Sequence, residues 1–101
     1  MSYTVGFSPE ATGHLEELRD YITSRSSPEV ADGYIEDILS LCESLTDFPF
    51  RGTQRDDIRP GIRTLGFRRR VVIAFRINEK SHQIEVLGAF YGGRDLPAML
   101  D

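Results

Sequence analysis

The spacing of apolar residues predicts two helices in the first half of the chain. Each begins at a Ser-Pro-Glu sequence, at residues 8–10 and 27–29, because serine caps a first turn and proline fits the first helical position. Apolar residues then recur every three or four positions, as on one face of a helix. In the first helix, from about Pro9 to Ser24, they are Ala11, Leu15, Leu18 and Ile22. In the second, from about Pro28 to Thr46, they are Ala31, Tyr34, Ile35, Ile38, Leu41, Cys42 and Leu45.

The remaining segments alternate apolar and polar residues, which is the period of a β-strand. A short first strand precedes the helices, with Tyr3, Val5 and Phe7 on one side. A polar segment, Thr53–Pro60, is predicted to be a surface loop. Three strands and a tight turn then follow, at Gly61–Phe67, Arg69–Ile77, Asn78–Ser81 (the turn) and His82–Tyr91. The segment Leu96–Leu100 is predicted to form a short helical turn or to stay mobile.

The strand at Arg69–Ile77 has two different faces. The face suited to a core carries Val71, Ile73, Phe75 and Ile77. The other face carries Arg70, Val72, Ala74 and Arg76. The element order β-α-α-β-β-β predicts an α+β domain in which an N-terminal helical hairpin packs on one face of a small antiparallel sheet. The opposite face has no helix to cover it and is predicted to be an open binding surface.

Length and charge refine this interpretation. A chain of 101 residues is expected to form one domain, residues 1–101. Residues 1–50 carry two arginines and ten acidic residues, a net charge of −8, whereas residues 51–101 carry ten basic and six acidic residues, a net charge of +4. All but one of the basic residues are arginine, whose planar fork of donors suits carboxylates and phosphates. The asymmetry indicates either an anionic partner or two faces that neutralise each other.

The familiar signatures of enzyme and metal sites are missing from the sequence. It has no glycine-rich phosphate loop and no HExxH motif. Its single cysteine, Cys42, excludes an internal disulfide and a cysteine-cluster metal site. Cys42 is predicted to be a core residue, and His14 and His82 to be solvated. We therefore expect no cofactor, no metal and no catalytic residues.

The arginines of the C-terminal half are the candidate functional residues. Arg63, Arg70 and Arg76 are predicted to project from neighbouring strands, and Arg94 follows the last strand. Converging guanidinium groups could bind phosphates or stabilise a phosphoryl transition state, with Tyr91 stacking on a base or acting as an acid. The alternative is that these arginines pair with the acidic residues Asp56, Asp57, Glu85 and Asp95.

Several short segments occur in one known family in the same order and spacing. They are Phe7–Ala11, Pro49–Gly52, Arg59–Arg63, Val72–Ile77, Ile84–Leu87 and Gly93–Asp95. Through them the chain resembles the RelE/ParE superfamily of bacterial toxins from type II toxin–antitoxin systems, and the ParE branch most closely. The resemblance spans nearly the whole chain and implies the same β-α-α-β-β-β layout.

The resemblance implies a cytoplasmic toxin with no membrane association. Its partner would be a ParD-like antitoxin whose C-terminal segment folds on the toxin, and its target would be DNA gyrase. The residues that match ParE-type binding or framework positions are Arg63, Arg76, Arg94 and Asp95, to which the strand pattern adds Arg70 as a partner-binding residue.

Two other activities are compatible with the same superfamily. A RelE-like branch cuts mRNA on the ribosome, and here such a reaction would depend on Arg63, Arg70, Arg76 and Tyr91. The sequence departs from that pattern, since its only lysine, Lys80, lies in a predicted turn and its isoelectric point is about 5.1. The third possibility is a binding module of the same fold without toxicity.

Overall fold

Two helices pack against a five-stranded sheet in the computed structural model, which describes residues 2–92. The elements in chain order are β1 (Thr4–Phe7), α1 (Pro9–Arg25), α2 (Pro28–Glu43), a 3-10 turn (Ser44–Thr46), β2 (Thr53–Gln54), β3 (Ile62–Phe67), β4 (Val71–Asn78) and β5 (Gln83–Tyr91). The strand order across the sheet is β1-β5-β4-β3-β2. The predicted α+β class and the order of the main elements are confirmed.

Two strand pairings differ in detail from the sequence-based prediction. The first strand, β1, pairs with β5 in parallel, from Thr4 opposite Gln83 to Phe7 opposite Val86, so the sheet is mixed. The segment predicted to be a loop contains the two-residue strand β2, which pairs antiparallel with β3. The first pairing joins segments that are far apart in the sequence, and the second involves a strand of only two residues. Neither pairing can be predicted from the alternation of apolar and polar residues.

Both helices begin at the predicted serine caps. The side-chain oxygen of Ser8 accepts a hydrogen bond from the amide of Ala11, and that of Ser27 accepts one from Val30, each over 3.1 Å. The Ser8 hydroxyl also donates to the carbonyl oxygen of Leu87 in β5, 3.3 Å away. Ser8 therefore joins the start of α1 to the sheet, whereas Ser27 caps its helix only.

Replacing Ser8 by alanine is expected to lower the free energy of unfolding by about 2 kcal/mol, against about 1 kcal/mol for Ser27→Ala. Ser8→Ala removes the cap and leaves the Leu87 carbonyl without its side-chain donor, while Ser27→Ala removes a cap alone. Urea denaturation of both variants and the wild type measures the difference. Equal losses would show that the bond between Ser8 and Leu87 does not contribute.

The main core lies between the helices and the sheet. Its largest fully buried side chains come from α2, the 3-10 turn and the sheet, and include Phe75, Ile38, Leu45, Ile73, Ile84, Val71 and Val86. Ala11 and Leu18 of α1 are buried in the same cluster. The helix stripes and the predicted inner face of β4 are thus confirmed, with Ile77 packed at the margin of this cluster.

The prediction of an open outer sheet face is wrong for its centre. Ile62, Ala74 and Phe90 are buried there in a second, smaller cluster, against which Ile58 and Leu87 pack. Ile58 belongs to the segment between β2 and β3, which therefore covers part of the face that has no helix. Two apolar layers, one on each side of the sheet, stabilise this domain.

Both histidines are half-buried, so the prediction that they are solvated is wrong. Strand β1 covers the edge of β5 only as far as Val86. Beyond that point Nδ1 of His14, on α1, accepts a hydrogen bond from the amide of Ala89 over 3.2 Å, and its ring lies 4.9 Å from that of Phe90. His82 packs edge-on against Tyr3, with 5.1 Å between ring centroids. Each imidazole thus contacts a residue far from it in the sequence, which the periodicity does not reveal.

Candidate partner-binding surface

The predicted arginines lie at two ends of the sheet and do not converge. Strand β4 begins at Val71, so Arg70 lies in the turn before it and not on the strand. Arg76 is near the other end of β4, opposite Ile62 and Glu85. At about 3.3 Å per residue, these two positions are roughly 20 Å apart. Arg94, Asp95 and the segment Leu96–Leu100 lie outside the described residues.

Arg63 is engaged within the fold. Its guanidinium group donates to the carbonyl oxygens of Phe50 and Arg51, over 2.9 and 3.2 Å. The same group lies 5.8 Å from the centroid of the Phe50 ring. These contacts attach the segment after α2 to strand β3. The arrangement fits the framework role that the resemblance implied for this residue.

Arg76 forms a cross-strand ion pair at the surface. Its Nη2 and Nε atoms lie 2.9 and 3.0 Å from Oε1 of Glu85, the residue opposite it on β5. The two side chains are 63% and 45% exposed, so the pair stabilises the fold by less than about 1 kcal/mol. Most of the Arg76 side chain remains accessible to a partner.

A wide groove of about 850 Å³ runs beside this ion pair. It lies along β1 and the ends of β4 and β5 that meet at the turn between them, and its lining mixes apolar and charged groups. The lining residues include Phe7, Arg76, Ile77, Lys80 and Glu85. Phe7 is 36% exposed and belongs to β1, an edge strand of the sheet. A sheet edge is one of the recurring sites of peptide binding.

A smaller cavity of about 290 Å³ separates α1 from the end of β5. Its walls include His14, Tyr21, Ala89 and Tyr91. The ring of Tyr91 lies 5.3 Å from that of Tyr21 and is half-buried. Tyr91 is directly opposite Val71 in the sheet register, at the end of β4 remote from Arg76.

Three consecutive arginines, Arg68–Arg70, occupy the turn between β3 and β4, although they were not predicted to act as a unit. Arg68 forms an ion pair with Asp37 of α2, and its guanidinium lies 4.8 and 5.2 Å from the ring centroids of Phe67 and Tyr34. Arg69 and Arg70 are exposed. The available signal was the interruption of strand alternation by Arg68–Arg70 between two apolar strands.

The titratable groups give little sign of acid–base chemistry. Cys42 is buried in the main core, as predicted, and burial raises the pKa of its thiol to about 11. Burial also raises the pKa of Tyr34, with the nearby Arg68 charge acting in the opposite direction. At the surface, a hydrogen bond from Arg55 lowers the pKa of Asp57. These shifts are those of structural contacts.

Within residues 2–92, no cluster of three or more histidine, cysteine, aspartate or glutamate side chains is placed to hold a metal ion. Neither helix is long and apolar enough to span a bilayer.

Comparison with known proteins bears on both the fold and the family. The chain superposes on a structure of the chromosomal ParDE toxin–antitoxin system from P. aeruginosa with a TM-score of 0.76 at 23% identity, over 89% of this chain and 96% of that one. It also superposes on the toxin–antitoxin complex RelBE2 from Mycobacterium tuberculosis with a TM-score of 0.63 at 17% identity, over 91% and 100%. At these identities the two structures establish the shared fold.

The family is identified by similarity in sequence and not by the shared fold. No curated protein sequence matches the chain significantly. The family model described as the ParE toxin of the type II toxin–antitoxin system, parDE, matches residues 5–96, which is almost the entire chain and includes every helix and strand but the first residue of β1. The chain therefore belongs to the ParE toxin family of type II toxin–antitoxin systems.

Proposed function

We propose that this toxin acts in the cytoplasm by binding and poisoning DNA gyrase, and that a ParD-like antitoxin neutralises it. The observation that carries the proposal is the match to the ParE toxin model over residues 5–96. The likeness to the ParDE structure, with a TM-score of 0.76 against 0.63 for RelBE2, favours the same branch. Gyrase and the antitoxin enter as inferences from family membership.

The positions of the arginines support a binding mechanism over RNA cleavage. A nuclease site would need its cations and its acid within reach of one phosphate. Here Arg63 contacts backbone carbonyl groups and Arg76 pairs with Glu85. Arg70 and Tyr91 lie at the other end of β4. The four residues of the alternative nuclease hypothesis therefore do not surround a common point.

Expression of the toxin without antitoxin distinguishes the hypotheses. We expect growth arrest together with cleaved gyrase–DNA complexes and intact mRNA. Codon-phased cuts in translated mRNA, with normal DNA supercoiling, would instead identify a ribosome-dependent nuclease. Normal growth and normal supercoiling would indicate a binding module without toxicity.

The groove beside Arg76 is the surface we assign to the antitoxin. Its lining joins β1, which is an edge strand of the sheet, to the exposed cations Arg76 and Lys80. An extended segment with acidic residues would complement this combination. Arg63, by contrast, would contribute indirectly, by holding the chain after α2 in place.

Arg76→Glu is expected to weaken antitoxin binding at least tenfold while the domain stays folded. The substitution reverses a charge in the groove and sets two carboxylates opposite each other on β4 and β5, at a cost of about 1 kcal/mol or less at this exposed site. Isothermal titration measures the affinity, and circular dichroism measures the fold. Arg59→Glu, an exposed substitution that does not line the groove, is the matched control. An unchanged affinity for Arg76→Glu would remove the groove from consideration as the antitoxin site.

A further inference from the structure

The turn between β3 and β4 holds two arginines in a backbone conformation that arginine rarely adopts. Arg68 and Arg69 have φ angles of 50° and 59°, and the amide of Arg70 donates to the carbonyl oxygen of Phe67 over 3.1 Å. The connection has three residues, since Phe67 pairs with Val71, and positions with positive φ are usually occupied by glycine, asparagine or aspartate. Each β-carbon in this region costs about 1–2 kcal/mol. Hairpin stability alone therefore does not explain the choice of arginine.

Arg68 anchors this turn to the helical layer. Its guanidinium is stacked near the rings of Phe67 and Tyr34 and paired with Asp37. The amide of Gly92 also donates to the carbonyl oxygen of Arg70, over 3.2 Å. The turn is therefore held from both sides, which limits the backbone entropy that it would lose on binding a partner.

Arg69 and Arg70 are the two cations that this anchoring leaves available. Both are exposed, and among residues 2–92 neither has an acidic side chain within ion-pair distance. The neighbouring charge of Asp37 is matched by Arg68. The tip of the hairpin therefore presents about two positive charges from a chain whose net charge is −4.

The shape of the tip distinguishes between anionic partners. Arg68–Arg70 line neither the wide groove nor the small cavity, and they lie at the end of the hairpin formed by β3 and β4. Peptides commonly bind in a groove or along a sheet edge. Duplex DNA, by contrast, offers rows of phosphates beside its grooves that a projecting tip can reach, and arginine forks match phosphate geometry.

We propose that Arg69 and Arg70 bind the phosphate backbone of duplex DNA. The inference rests on the proposed function and deepens it, because the gyrase complex that such a toxin would poison contains DNA. The acidic helices are repelled by DNA, which favours an approach through the tip. Two phosphate contacts give weak binding alone, which becomes effective when gyrase holds the toxin and the DNA together.

The test measures binding of the purified full-length chain to a fluorescent duplex of about 20 base pairs by anisotropy, across a salt series. The variant is Arg69→Glu/Arg70→Glu. The control is Arg59→Glu/Lys80→Glu, which changes the net charge equally at exposed positions near the opposite end of β4. We expect the tip variant to lose at least tenfold in affinity and the control less than threefold. The wild-type plot of log K against log salt should be steeper than that of the tip variant by about 1.8.

Three results would overturn the proposal: no binding by the wild type at low salt, equal losses in the two double variants, or tighter binding of polyglutamate than of DNA through the same arginines. The variant Arg69→Gly/Arg70→Ala is a control for misfolding. It removes both charges, and glycine suits the left-handed φ of position 69. This variant should melt no lower than the wild type and should still lose at least tenfold in affinity. Retained affinity would also contradict the proposal.

A parallel gyrase cleavage assay separates the two inferences. If the wild type and the tip variant both produce cleaved gyrase–DNA complexes equally, the DNA contact is wrong and the proposed function stands. If the tip binds DNA but no cleaved complexes form, the proposed function is wrong and the DNA contact stands.

Discussion

Phe75→Ala is expected to lower the free energy of unfolding by about 3–5 kcal/mol. Phe75 is 0% exposed and lies in the main core, between the helices and the sheet. Truncation removes the entire buried ring and leaves a cavity that β4, paired on both sides, cannot close by shifting. For a domain of ordinary stability, about 5–15 kcal/mol, this is a large share. Guanidinium denaturation monitored by circular dichroism measures the loss.

Phe48→Ala provides the matched control for this prediction. It is the same substitution at a side chain that is 65% exposed, so little apolar surface returns to water and no cavity forms. We expect a change within about 1 kcal/mol. Similar losses for Phe48→Ala and Phe75→Ala would mean that the described core does not dominate the stability of this domain.

Gly52→Ala is expected to cost about 2–5 kcal/mol, more than the same substitution at Gly61. Gly52 has φ 80°, and a β-carbon there would lie 2.3 Å from the carbonyl oxygen of Thr64. That oxygen belongs to the backbone of β3, so the clash can be relieved only by displacing the short strand β2 that follows Gly52. Thermal and urea denaturation of both variants measure the difference.

The Gly61→Ala variant distinguishes the cost of the steric clash at residue 52 from the cost of a positive φ angle. The φ of Gly61 is 87°, yet a β-carbon there would meet nothing within 4 Å. Gly61→Ala therefore carries only the cost of a left-handed alanine, about 1–2 kcal/mol. If Gly52→Ala were no more destabilising than Gly61→Ala, the close approach between residue 52 and β3 would not exist in solution.

The local features of this fold were predictable from sequence because their causes are local. Each Ser-Pro-Glu begins a helix, since the cap and the proline act within one turn. Alternation along β4 identified its inner face because the period of a strand is a property of the strand itself. The turn after Asn78 was also found, and the Asn78 side chain accepts hydrogen bonds there from the amides of Lys80 and Ser81.

The candidate site was harder to predict because it depends on strand ends and distant contacts. A shift of two residues in the start of β4 moved Arg70 from the sheet face to the turn. The periodicity of the sequence does not predict that Glu85 pairs with Arg76. Nor does it predict that the Arg63 guanidinium donates to the carbonyl groups of Phe50 and Arg51. Side-chain partners across a sheet follow from register, and register is fixed by the complete fold.

The parallel pairing of β1 with β5 has a consequence for the timing of folding. Thr4 lies beside Gln83, 79 positions later in the chain. At a synthesis rate of about 5–20 residues per second, the first strand waits roughly 4–16 s for its partner. During that interval β1 cannot join the sheet, and α1 lacks the strand that it packs against. The domain thus completes its native state only after β5 has been synthesised, and its long sequence separations predict slow folding. A partner that recognises the finished groove beside Arg76 would therefore find it only once β5 is available.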